Sequence, residues 1–246
     1  IGIFAELDYM ITDRTKLTFG ARWTEENKEV IFNAIGSCEK DFSSCSGPSS
    51  GLFRSGTYDD TTPKFAITHA LNDDVNIYAS YTQGFRSGSF DARARTIDSF
   101  LNSQPGPEEV TSIELGLKSI LNDGRIMFNL AVFQADYDDI QKLALEDCVV
   151  DINTCPSGRI QRLINAAEAT IEGIEIETRI NITDQFSLEG SLGYTDASFD
   201  KFEGFDADGV PGYDPVTDPA AAKALKFERV PELTYNIMAN YYQPLA

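Results

Sequence analysis

The chain has 246 residues, with 39 acidic against 20 basic side chains and a formal net charge of −19. That balance repels phosphate backbones and excludes nucleic acid as a partner. Hydrophobic residues make up 42%, enough for a folded protein, yet no apolar run approaches the ~18 residues of a transmembrane helix. The chain opens directly on strand-like sequence at Ile1 with no secretory leader, the beginning expected of a fragment or of part of a mature protein.

Taken in order, the elements read as strands of period two. From Ile1 to Thr12, the residues Ile1, Ile3, Ala5, Leu7, Tyr9 and Ile11 share one face. A turn at Asp13-Arg14 leads to a second strand, Lys16 to about Val30, in which Leu17, Phe19, Ala21 and Trp23 oppose Thr18, Gly20, Arg22 and Thr24. A long loop is expected from about Asn33 to Asp60, then a third strand from Thr62 to Leu71. After Asn72-Asp74 the fourth strand places Val75, Ile77, Ala79 and Tyr81 on one side. A second long loop runs from Phe85 to about Glu109, and the fifth strand follows with Ile113, Leu115 and Leu117 on one face.

Asn122-Asp123-Gly124 is a strong hairpin signal. Strand six, Arg125 to Gln141, has two fairly apolar faces, so its orientation stays open. A loop from about Leu143 to Arg162 precedes strand seven, Ala169 to Ile180, where Ile174, Ile176 and Ile180 oppose Glu175, Glu177 and Arg179. Strand eight, Phe186 to about Phe199, follows a tight turn. An acidic loop, Asp200 to about Glu228, then leads to a last strand at Glu232 to Tyr242.

Short and long connections alternate through about nine strands. A soluble sandwich gives no reason for that alternation, whereas an outer-membrane barrel has tight periplasmic turns and long outer loops. The expected fold is therefore all-β: an antiparallel transmembrane β-barrel with its apolar face toward lipid. Arg22, Lys64, Glu114, Lys118, Glu175, Glu177, Arg179 and Glu189 then face a wet lumen. Tyr9, Trp23, Tyr81, Tyr137, Tyr194, Tyr235 and Tyr241 near strand ends suit interfacial girdles. A large soluble sandwich with one buried face per sheet is the competing reading.

The ordered blocks NIYASYTQGFRSGSF, PEEVTSIELGLKS, FNLAVFQADYDDIQ, ATIEGIEIETRI, FSLEGSLGYTDASF and VPELTYNIMANYYQ resemble the β-barrel of a TonB-dependent outer-membrane receptor. The resemblance runs across most of residues 1 to 242. It implies a barrel of about 22 strands around a plug, of which residues 1–246 would be an interior portion lacking plug and terminal strands. It also implies residence in the bacterial outer membrane among lipid and lipopolysaccharide. The implied function is uptake of a scarce ligand, most often a ferric siderophore, driven by the TonB–ExbB–ExbD complex acting through the plug. A passive porin, or uptake of cobalamin, a saccharide or an aromatic compound, are the alternatives.

Candidate site residues are few. Arg86, Arg93 and Arg95 concentrate positive charge in one outer loop of an acidic chain, with Phe85 and Phe90 beside them. Together they could meet an anionic ferric chelate. Equally, the arginines could make ordinary salt bridges to loop carboxylates or contact lipopolysaccharide. The cysteines form two local pairs, Cys38 with Cys45 and Cys148 with Cys155, each enclosing six residues. Two loop disulfides made in an oxidising compartment are expected, with four unpaired thiols as the other possibility. Zinc is disfavoured by that spacing and by a single histidine, His69, and no cofactor is expected. Asp206-Ala207-Asp208-Gly209 starts like a calcium loop but lacks the remaining ligands. Neither a Ser-His-Asp arrangement nor a phosphate loop ahead of a helix is legible, so no enzyme is expected.

Overall fold

The computed structural model describes residues 1–32, 52–91, 94, 97–147, 159–202 and 225–243, without side chains at 97–98, 144–147 and 159–160. Among these, nine strands form one antiparallel sheet in strictly sequential order. They are β1 (Gly2–Thr12), β2 (Thr15–Phe32), β3 (Leu52–Ala70), β4 (Val75–Arg86), β5 (Glu108–Leu121), β6 (Ile126–Asp147), β7 (Arg159–Asn181), β8 (Phe186–Phe202) and β9 (Leu233–Tyr241). A short helix, α1 (Ile97–Asn102), lies in the connection between β4 and β5. No second sheet packs on the first among the described residues, which removes the sandwich reading.

The register sorts side chains onto two faces. One row runs Tyr9, Leu17, Ile67, Ala79, Leu115, Val132, Ile174, Tyr194 and Leu233 across all nine strands. Most of these stay open to the surroundings: Leu115 is 56% and Ile174 41% exposed. A single sheet with its large apolar residues uncovered is stable only where hydrocarbon covers them. The same register puts all eight of the expected lumenal charges on the opposite face, and it settles β6, whose Phe128, Leu130 and Val132 point outward. Two hydroxyls on the apolar face satisfy themselves locally. Ser119 Oγ donates to the Phe128 carbonyl at 2.8 Å and Thr178 Oγ1 to that of Met127 at 3.2 Å.

Both borders of the apolar band are inclined to the strands by the same amount. The hydrogen-bonded row that begins at Thr15, where β2 starts, reaches β8 at Leu192, six residues beyond Phe186, where β8 starts. At the other border the first polar outward residues are Glu25 on β2, Gln83 on β4, Gln134 on β6 and Asp196 on β8. The row through Asp196 meets β2 at Phe19, again six residues short of Glu25. A six-residue drop over six strand spacings corresponds to a strand tilt of about 35°, within the range of membrane barrels. From Thr15 to Trp23, or Phe186 to Tyr194, the band is nine residues long, which at that tilt is about 25 Å tall. Trp23, Tyr81 and Tyr194 are the last outward residues before polarity begins and form the upper girdle. Tyr137 does not join them: it lies on the inner face and packs against Ile140, Ala169 and Phe199.

The tight ends follow the sequence closely. Asp123 and Gly124, the central residues of the turn that Arg125 N–H closes on the Asn122 carbonyl, adopt left-handed φ values of 53° and 83°, as a two-residue hairpin turn asks. His69 Nδ1 is 2.9 Å from Thr15 Oγ1 at the turn border. The outer ends depart from expectation. β3 starts at Leu52 rather than Thr62, β6 runs on to Asp147, and β7 starts at Arg159 rather than Ala169. Above the band no hydrocarbon imposes alternation, so these extensions continue the ladder with polar residues on both faces and lack the pattern that marks the membrane segments.

Adjacent residues on β6 should therefore respond in opposite ways. Leu130→Arg puts a cation in hydrocarbon and should cost about 2–4 kcal/mol of folding into bilayers, whereas Asn129→Arg, toward the lumen, should cost less than about 1 kcal/mol. Urea titrations of both variants in lipid vesicles check this.

Candidate functional site at the outer mouth

The inner wall of the band is a polar ladder. Lys16 pairs with Asp8 at 3.1 Å and Lys64 with Glu6 at 2.9 Å, while Arg179 meets Glu189 at 3.0 Å. The Tyr78 hydroxyl donates to Glu114, and Lys118 Nζ stands 5.5 Å from the Tyr78 ring. These pairs are half-exposed and each contributes little to stability. Their effect is to keep the wall wettable.

Among the described residues the buried apolar side chains gather at the outer end instead. Phe32, Ala94 and Phe100 form one cluster, with Val30 and Leu52 against it. Ile140, Ala167, Ala169, Phe199 and Phe202 form the other, joined by Tyr137, Leu225 and Phe227. Phe100 is wholly buried and stacks on Phe32 with ring centroids 4.7 Å apart. Val30, Phe32 and Leu52 share the face of Lys16 and Lys64, so the β4–β5 connection lies over the lumenal side of the β2–β3 extension. Ile97, Phe100 and Leu101 at helical spacing were the available signal for α1.

That connection is tied on both flanks. Toward β2–β3, Ser87 Oγ donates to Glu26 at 2.6 Å, Lys28 Nζ to the Gly88 carbonyl at 2.9 Å, and Arg54 to the Leu101 carbonyl. The Tyr58 ring sits directly beneath Gly88, where any Cβ would overlap it and lie 2.7 Å from the Pro105 carbonyl, so only glycine fits. Toward β6–β7, Ser99 Oγ donates to the Gln161 carbonyl at 2.8 Å and Leu163 N to Ser103 Oγ at 3.2 Å. Gln141 and Asn165 add a network of their own. Glu26 titrates below the usual glutamate range, first because of the Ser87 hydroxyl and then through Lys28, against an opposing desolvation effect.

The sequence-derived site residues fall in or beside this connection. Arg86 ends β4 on the inner face, 3.6 Å from Glu108, and its side chain remains 65% exposed. Phe85 stands opposite Glu109 and shares the outward face with Tyr81 and Gln83, so it and Arg86 point to opposite sides of the sheet. Phe90 is half-buried in the connection. Arg93 and Arg95 lie outside the described residues, as do Cys38, Cys45, Cys148, Cys155 and the Asp206–Gly209 segment. Among the described residues no group of three His, Cys, Asp or Glu side chains could hold a metal. Sequence reasoning missed the anchors Glu26, Lys28, Gln141 and Asn165, which are polar residues in strands with nothing local to set them apart.

Comparison with known proteins agrees with this architecture. The family model described as "TonB dependent receptor-like, beta-barrel" matches residues 1–246. The metal-pseudopaline receptor CntO of Pseudomonas aeruginosa is 25% identical over 143 residues, covering 58% of this chain and 17% of that protein. Among solved structures, the siderophore receptor PiuA from Acinetobacter baumannii superposes with a TM-score of 0.70 at 19% identity, covering 98% of this chain and 30% of PiuA. The ferric yersiniabactin uptake receptor FyuA from Yersinia pestis gives a TM-score of 0.64 at 15% identity over 98% of this chain and 30% of FyuA. The chain thus spans under a third of the length of each of these three proteins. An inclined apolar band, a polar inner wall and tight turns alternating with long connections are what the family match leads one to find: the chain belongs to the TonB-dependent receptor β-barrel family of the bacterial outer membrane.

Proposed function

We propose that this chain is part of an active transporter that captures a scarce anionic metal chelate, a ferric siderophore foremost, at its outer mouth and imports it with energy delivered by TonB. The observation that carries this reading is the β4–β5 connection. It brings Arg86 to the inner rim of the mouth and is braced against two hairpins in an otherwise acidic chain. Arginines are suited to the charge and planar oxygens of such a ligand. Arg93, Arg95 and Phe90 complete the proposed contact, while Phe85 faces outward beyond Gln83 and takes no part in it. The relatives named as receptors for metal-pseudopaline and ferric yersiniabactin support the ligand class, and the first of them also keeps other chelated metals in play.

In this reading residues 1–246 form an interior portion of a barrel of about 22 strands. β1 and β9 each present an edge whose backbone groups need partners in lipid, and further strands of the receptor would supply them. A plug would relay the TonB–ExbB–ExbD complex, lipid and lipopolysaccharide would surround the outside, and the two cysteine pairs would close outer loops as disulfides. The protein acts as a transporter rather than an enzyme.

Binding of radioactive iron, supplied as a panel of catecholate, hydroxamate and carboxylate chelates, tests the reading in the intact receptor. At least one chelate should bind, and Arg86→Ala with Arg93→Ala and Arg95→Ala should weaken it by at least about tenfold. Unchanged affinity in the triple variant would remove the arginines from the site.

The pH course follows from Glu26. Because its carboxyl is depressed on folding, the Ser87–Glu26 anchor is fully present above the ordinary glutamate range and is lost as pH falls through the lowered value. Proteolytic protection of the connection should therefore hold from neutral pH down through that range and fall only in stronger acid, and Glu26→Gln should flatten the dependence.

A further inference from the structure

The β6–β7 ladder shifts register twice above the membrane band, first on β6 between Tyr137 and Ile140 and then on β7, where Ala166 is skipped between Ala167 and Asn165. Asp139 takes a left-handed φ of 54°, a conformation that costs a non-glycine residue free energy unless its surroundings hold it there. At the irregularity two consecutive residues, Ile140 and Gln141, are both buried. Ile140 enters the Phe199 cluster, and Gln141 turns to the β4–β5 connection.

Gln141 touches both ends of that connection. Its Nε2 donates to the Ser87 carbonyl at 2.9 Å and to the Gly106 carbonyl at 3.0 Å. Its Oε1 accepts from Ser89 Oγ at 2.9 Å, and its backbone N–H donates to Glu108 at 2.9 Å. Directly across the ladder, Asn165 accepts from the Gly106 N–H at 2.7 Å. Its Nδ2 reaches the carbonyls of Gly106 at 3.2 Å, Pro107 at 3.3 Å and Asp139 at 2.6 Å, the last being the carbonyl that the bulge releases from the ladder. Between these two amides the connection's limbs pair with each other, Ser89 N to Pro105 O and Asp91 N to Ser103 O, both at 3.2 Å.

We propose that Gln141 and Asn165 are positioning residues that pinch the two limbs of the β4–β5 connection, residues 87–91 and 103–107, together and hold those limbs in one conformation over the mouth. The two irregularities deliver this pair: the bulge at Asp139 frees a carbonyl for Asn165, and the skipped Ala166 on β7 brings Asn165 across from Gln141. Only the consequence for ligand capture rests on the transport reading above. The pinch itself is a property of the fold.

Gln141→Glu and Asn165→Asp keep size and acceptors but remove the donors, so they test the pinch without opening a cavity. Hydrogen exchange on the intact receptor in detergent should show the Ser89 and Asp91 amides exchanging at least about tenfold faster in either variant. Amides of β2 and β8 within the membrane band should be unchanged. Unchanged exchange at Ser89 and Asp91 would overturn the proposal, as would equal acceleration throughout the sheet. A wild-type receptor that binds no ferric chelate, with the selective acceleration still seen in the two variants, would sink the transport reading and leave the pinch intact.

Discussion

In hydrocarbon there is no water to hydrogen-bond a backbone amide, and everything in this chain follows from that. Each N–H and C=O inside the band must be paired by a neighbouring strand, and each outward side chain must be apolar or satisfy its own polar atom. The strands inside the sheet meet both demands, over nine residues in β2 and in β8, while β1 and β9 each keep one open edge. Even Ser119 and Thr178 direct their hydroxyls onto backbone carbonyls. The tilt needs no separate cause. The turns and the polarity border shift by the same six residues from β2 to β8, so the strands cross a slab of fixed thickness at an angle.

Outside that slab the constraint lapses and the chain behaves like any water-soluble protein. β2–β3 and β6–β7 run on as hairpins, small clusters around Phe100 and Phe199 become buried, and the β4–β5 connection is braced between the two extensions. Function of the proposed kind needs this division. The slab fixes a rigid frame, and the freer region above it carries arginine, amide and aromatic groups where ligand arrives.

How much of this could be read from the sequence follows the same division. Within the band, alternation such as Phe128-Leu130-Val132 or Leu188-Leu192-Tyr194 is forced by lipid, so strand positions and facing charges were legible from residues alone. Above it, Leu52–Thr61 and Arg159–Glu168 are strands because a neighbour pairs with them, a cause that lies in other parts of the chain. The same holds for the mouth. Arg86 was visible as charge in an acidic background, but its partner Glu108 and the anchors Gln141 and Asn165 become neighbours only through register. Phe85 shows the converse: its proximity to Arg86 in sequence hides that consecutive strand residues face opposite ways.

The central claim is that one face of the sheet meets lipid and the other water. Nitroxide labels placed in turn at residues 126 to 134 of β6, in the receptor reconstituted in bilayers, test it most directly. Collision with oxygen should dominate at Ile126, Phe128, Leu130 and Val132, and collision with a water-soluble nickel chelate at Met127, Asn129, Ala131 and Phe133, the alternation ending at Gln134. Uniform access to the nickel chelate, or shielding from both probes along the whole strand, would contradict the account.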